Sequence, residues 1–94
     1  MGFREAKRDL LAALRNGRFL HEARREIDTK NLLLTGRITP AELAAIVSTC
    51  RGIHHTSSPH HQVPDIEVHV LRRSGWYIKF YFADPNTVFI SVHR

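Results

Sequence analysis

From Ile66 to Arg94 apolar and polar residues alternate with a period of two, interrupted at two turn-rich points. Ile66, Val68 and Val70, then Trp76, Ile78, Phe80 and Phe82, then Val88, Ile90 and Val92 supply one apolar series. Glu67, His69, Tyr77, Lys79, Ser91 and His93 take alternate positions. Successive strand side chains point to opposite faces, so the pattern predicts three antiparallel strands with one face buried and one left free. Turn formers at Arg72–Gly75 and Ala83–Asn86 mark two hairpins. Five-residue loops at 71–75 and 83–87 would align Val70 with Trp76 and Ile78 with Val92. That register puts His69, Tyr77 and His93 in one cross-strand row and Glu67, Lys79 and Ser91 in the next; a two-residue slip would keep the faces and change the rows.

Upstream the period lengthens. Phe3, Ala6, Leu10, Leu11 and Leu14 recur at helical spacing, and Asn16-Gly17 supplies a stop, which predicts a helix over 3–16. Leu20, Ala23 and Ile27 repeat the spacing from Phe19 onward and predict a second helix that loosens near Asp28. Leu32-Leu33-Leu34 is a short buried run that periodicity assigns to neither helix nor strand. Thr39-Pro40-Ala41-Glu42 has the form of a capping box with proline at the first helical position. It opens a third helix through Leu43, Ile46, Val47 and Cys50, with Gly52 as its stop. Residues 53–64 have turn composition, contain four histidines, and are expected as a loop feeding the sheet. The expected architecture is a single α+β domain over 1–94, with two or three N-terminal helices on the apolar face of a small antiparallel sheet.

Charge narrows the partner. Fourteen Lys and Arg against nine Asp and Glu give a net charge of +5 before any of the seven histidines titrates. A polyanion or an acidic protein is favoured. In residues 1–30 the charges are intermixed as on a solvated helix face. The single cysteine, Cys50, excludes an internal disulfide and a cysteine zinc cluster, and its place in a helical apolar stripe reads as core. No apolar stretch reaches membrane-spanning length and no signal-peptide core is visible, so a cytoplasmic protein without membrane association is expected.

The free sheet face carries the chemistry. Metal-free RNA cleavage needs a base for the 2'-hydroxyl proton, an acid for the leaving 5'-oxygen and cations for the phosphorane. Histidine serves either proton-transfer role because its ordinary pKa is about 6.5. Strands about 4.8 Å apart leave about 10 Å between His69 and His93, room for a phosphodiester over Tyr77. Lys79 can stabilise the phosphate. Glu67 can pair with Lys79 or raise a histidine's pKa. Arg72, Arg73 and Arg94 near the strand ends, with His54 and His55, are candidate RNA contacts. A plain solvated sheet face is the competing account of the same alternation. His54, His55, His60 and His61 also admit a metal reading, although their spacing matches no compact zinc motif.

The segment Trp76-Tyr77-Ile78-Lys79-Phe80, followed after a turn by Val88-Phe89-Ile90-Ser91-Val92-His93, resembles the C-terminal strands of the MqsR-type toxins. Those have a hydrophobic-Tyr-Ile-Lys strand and then a closing strand with a serine, a hydrophobe and a cation. The capped helix over 39–50 is also similar, and the resemblance spans residues 35–94. It implies a RelE-like α+β fold and an mRNA-cleaving ribonuclease that needs no metal or cofactor and is held inactive by a cognate antitoxin. On the resemblance, Tyr77 takes the position of the active-site tyrosine, and His93 stands where the family has a catalytic lysine or another basic residue. The family's basic and amide groups before the first of these strands are replaced here by His54 to His61 and Glu67, without a lysine.

The expectation is therefore a toxin-type endoribonuclease acting by 2'-hydroxyl attack. His93 leads as general acid or base, with His60, His61 or His69 as its counterpart, Lys79 on the phosphate and Tyr77 positioning it. RNA, an antitoxin and the ribosome are the candidate partners. A non-catalytic module for nucleic acid or an acidic protein is the first alternative, and a metal protein built on the histidine loop is the second.

Overall fold

The computed structural model describes residues 1–23 and 27–94. In chain order the elements are α1 (Phe3–Asn16), β1 (Phe19–His21), the single turn α2 (Ile27–Lys30), α3 (Pro40–Ser48), a 3-10 turn (Gly52–His54), β2 (His55–Pro59), β3 (Glu67–Arg73), β4 (Trp76–Ala83) and β5 (Asn86–His93). The protein is α+β: α1 and α3 pack on a five-stranded sheet of order β1-β5-β4-β3-β2, antiparallel except for β1 beside β5.

Helix α1 buries Ala6, Leu10, Ala13 and Leu14, one stripe at helical spacing, and ends at Gly17 in the left-handed region. The capping box of α3 forms as expected: Glu42 N–H donates to Thr39 Oγ1 at 3.1 Å, and Thr39 N–H donates to Glu42 Oε1 at 3.0 Å. The helix stops at Ser48 rather than running on to Gly52, which opens the 3-10 turn instead. Lys7 of α1 donates to the carbonyl oxygens of Ser48 and Cys50, placing a cation at the C-terminal end of α3 and tying the two helices together. Beneath them Leu10, Leu14, Leu43, Val47 and Cys50 meet Leu71, Ile78, Phe80, Phe89 and Val92 of the sheet.

Four expectations are corrected. The helix expected from Phe19 opens instead as the strand β1 over Phe19–His21, and only its end, the single turn Ile27–Lys30, is helical. Phe19 and His21 lie on the helix side with Thr87 and Phe89, while Leu20 is 55% exposed, a period of two rather than 3.6. The part over 24–26 lies outside the described residues. The loop expected over 53–64 contains β2, which pairs antiparallel with β3 and adds an edge strand.

The third correction moves the histidines. The β3–β4 hairpin closes on two residues, Ser74 and Gly75, both at positive φ (54° and 79°), and not on a five-residue loop. His69 therefore pairs with Phe80 and Leu71 with Ile78. This odd shift turns β3 over: His69 and Leu71 face the helices, while Val68, Val70 and Arg72 share the other face with Tyr81, Lys79 and Tyr77.

The fourth correction is a bulge. At the far end of the β4–β5 ladder the expected register holds, with Tyr77 opposite His93, Ile78 opposite Val92 and Lys79 opposite Ser91. An irregularity between Lys79 and Phe80 then shifts it, so Phe89 faces the core and Val88 pairs with Tyr81 on the opposite face.

Candidate functional site

The sheet face away from the helices carries two adjoining clusters. At one end Arg72, Tyr77 and His93 occupy neighbouring positions on β3, β4 and β5. The Arg72 guanidinium carbon lies 5.2 Å from the Tyr77 ring centre, and the His93 ring stacks on Tyr77 at 5.1 Å. His93 Nδ1 is 3.2 Å from the main-chain oxygen of Arg94. Donation there places the neutral ring's proton on Nδ1 and leaves Nε2 as the basic nitrogen. Lys79, two residues along β4, occupies the next row beside Val70 and Ser91.

At the other end a cleft of about 1110 Å³ opens between the 60–66 loop and the strands, lined among others by Glu22, Lys30, His60, His61, Lys79 and Tyr81. Val68 and Ile90 form apolar parts of its wall and are buried. His60 is 6% exposed. Its Nδ1 accepts hydrogen bonds from the Gln62 and Val63 N–H groups, and its main-chain N–H donates to the Ile66 carbonyl oxygen, so this one residue fastens both ends of the loop. With Nδ1 committed as acceptor, the neutral ring's proton sits on Nε2, which lies 3.5 Å from Glu22 Oε2. The His61 ring stacks on His60 at 5.0 Å, and Tyr81 meets His60 edge-on at 5.5 Å. Burial, then the charge of Glu22 and a hydrogen bond to it, push the Tyr81 phenol pKa up.

His69 and Glu67 lie across the sheet from these groups. His69 is 1% exposed, stacked on Phe80, with Nδ1 2.9 Å from His55 Nε2 and its other nitrogen 3.5 Å from Glu67. Burial pushes both histidine pKa values down, most directly by disfavouring the imidazolium. The Met1 amino group, 3.1 Å from Glu67, holds that carboxyl below the usual range. The expected row of His69, Tyr77 and His93 is thus replaced by Arg72, Tyr77 and His93, and Val70 stands where Glu67 was expected beside Lys79.

Of the other expected RNA contacts, Arg73 bonds Thr49 and His54 at the helix side of the sheet, and Arg94 lies over Trp76. His55 packs against Phe3 of α1. The four loop histidines do not converge: His54 joins Arg73, His55 joins His69, and only His60 and His61 line the cleft. Among the described residues no group of three or more His, Cys, Asp or Glu is placed to hold a metal ion.

Glu22 and Tyr81 were not singled out from sequence. Tyr81 had a signal, since Tyr77, Lys79 and Tyr81 continue one period-two series. Glu22 had none, because the helical spacing of its neighbours concealed the strand that delivers it. Comparison with known proteins finds no matching family model, no matching curated protein and no matching solved structure.

Proposed function

We propose that the protein is a metal-independent endoribonuclease that takes single-stranded RNA across the open sheet face, a toxin whose activity a cognate antitoxin restrains. The observation that carries the catalytic reading is the contiguous Arg72–Tyr77–His93 stack with Lys79 in the next row. His93 Nε2 takes the proton from a 2'-hydroxyl, and the 2'-oxygen attacks phosphorus. The bond from phosphorus to the 5'-oxygen breaks, and that oxygen leaves with a proton, giving a 2',3'-cyclic phosphate and a 5'-hydroxyl. Arg72 and Lys79 neutralise charge developing on the phosphate, Tyr77 hydrogen-bonds it, and the Lys79 ammonium donates the proton that the leaving oxygen takes. Tyr81 lies four strand residues from Tyr77, about 13 Å, so His60 and His61 contact flanking RNA rather than sharing one phosphate with His93. Likeness of β4 and β5 to the MqsR-type strands supports the toxin reading.

A non-catalytic nucleic-acid module is the second reading, favoured by the exposed cations that the same face offers. Incubating the protein with labelled single-stranded RNA in excess EDTA, alongside His93→Ala, separates the two. Cleavage to cyclic phosphate, lost in the variant, is expected. Salt-sensitive binding without product, on free RNA and again on translating ribosomes, would select the second reading.

A further inference from the structure

Glu22 is the one carboxylate lining the cleft among the described residues, and it is held from two sides. His60 Nε2 lies 3.5 Å from Oε2, and His60 is itself fixed by the Gln62 and Val63 amides. Tyr81 faces the same carboxylate, and its raised pKa keeps the phenol protonated as a donor. A carboxylate has about four acceptor sites, and among the described residues His60 and Tyr81 stand against this one, so the cleft presents a positioned acceptor beside apolar Val68 and Ile90 and two ring systems, His61 and Tyr81. Lys79 belongs both to this cleft and to the row next to Tyr77 and His93, which makes the two clusters continuous.

We propose that this cleft receives the nucleobase flanking the cleaved phosphate, with His61 and Tyr81 as its aromatic walls and Glu22 as the acceptor that demands an exocyclic amino group. The inference rests on the RNA reading of the open face. Cytosine, adenine and guanine each carry an amino donor. Uracil offers only an N–H between two carbonyl oxygens, which a carboxylate repels. A hydrogen bond to a charged group makes the difference about tenfold to a hundredfold in affinity. His60 is the positioning residue, because it touches Glu22 and the loop rather than the base.

The test is titration of the intact protein with cytidine and uridine 5'-monophosphates, followed by NMR at the Val68 and Ile90 methyls. Parallel affinity measurements use 2'-deoxy-substituted oligo(C) and oligo(U), which the enzyme cannot cleave. Expected are methyl shifts with the cytidine nucleotide and at least tenfold weaker binding of the uridine one. Glu22→Gln should reduce that ratio below about threefold, while His93→Ala leaves it unchanged. Equal binding of the two nucleotides by the wild type, or a ratio untouched by Glu22→Gln, overturns the proposal, and the wild-type comparison stands if the variant fails to fold. RNA cleavage without this discrimination would sink the inference and leave the nuclease; discrimination without cleavage would do the reverse.

Discussion

Alanine at Leu71 and at Val70 tests which side of β3 faces the core, and with it which residues share the functional face. Leu71 is 1% exposed within the main core cluster and pairs with Ile78, whereas Val70 is half-buried on the opposite face beside Lys79. Leu71→Ala removes three buried carbons, about 2.4 kcal/mol of transfer free energy at roughly 0.8 per carbon, and the cavity left behind raises the cost to about 3–4 kcal/mol. Val70→Ala removes two carbons that are only partly covered, and should cost about 1 kcal/mol or less. A domain of this size has about 5–14 kcal/mol in total, so the Leu71 change removes a large share without abolishing folding. Urea unfolding followed by tryptophan fluorescence measures both. With a slope near 1–1.5 kcal/mol/M, the Leu71→Ala midpoint should fall by about 2–4 M and the Val70→Ala midpoint by about 1 M or less. Equal losses, or a larger loss at Val70, would refute the two-residue Ser74-Gly75 turn and return His69 to the face that holds His93.

Acid should weaken the fold before its carboxylates titrate. Burial lowers the His21, His55 and His69 pKa values, so below about pH 6.5 the unfolded chain binds protons that the folded one refuses. The urea midpoint should therefore drop between pH 7.5 and 5.5, the loss levelling off below the depressed native values; a flat or rising midpoint contradicts the buried pair. Thr39→Ala removes the α3 cap and should cost about 1 kcal/mol in the same assay, with no change in RNA binding. Arg72→Gln and Lys79→Gln should each flatten the dependence of log affinity on log salt by about 0.7 in RNA anisotropy titrations between 50 and 200 mM salt. Arg73→Gln should leave that slope unchanged, since its guanidinium is turned toward Thr49 and His54.

The capping box of α3 and the buried stripe of α1 were legible because their signals are local: a hydroxyl and a glutamate three residues apart, and apolar spacing within one helix. The row of Tyr77 with His93 was legible as well, since β4 and β5 keep their expected register at that end. β3 was not. Its residues Glu67-Val68-His69-Val70-Leu71 offer an apolar series in either phase, Val68 with Val70 or Leu71 with a satisfied His69, and alternation cannot rank them. The hairpin turn ranks them, by closing on two residues rather than five. β1 was hidden for a related reason: three residues hold too few positions to tell period two from 3.6, and β5 makes them a strand by supplying its hydrogen-bond partners. Sequence alone therefore determined the class of fold, the basic character and the sharing of one face by Tyr77, Lys79 and His93, because composition and periodicity are properties of the chain. Only the tertiary structure decided that His69 lies beneath the sheet while Glu22 joins the open face beside Tyr81, because pairing register depends on contacts between segments far apart in sequence.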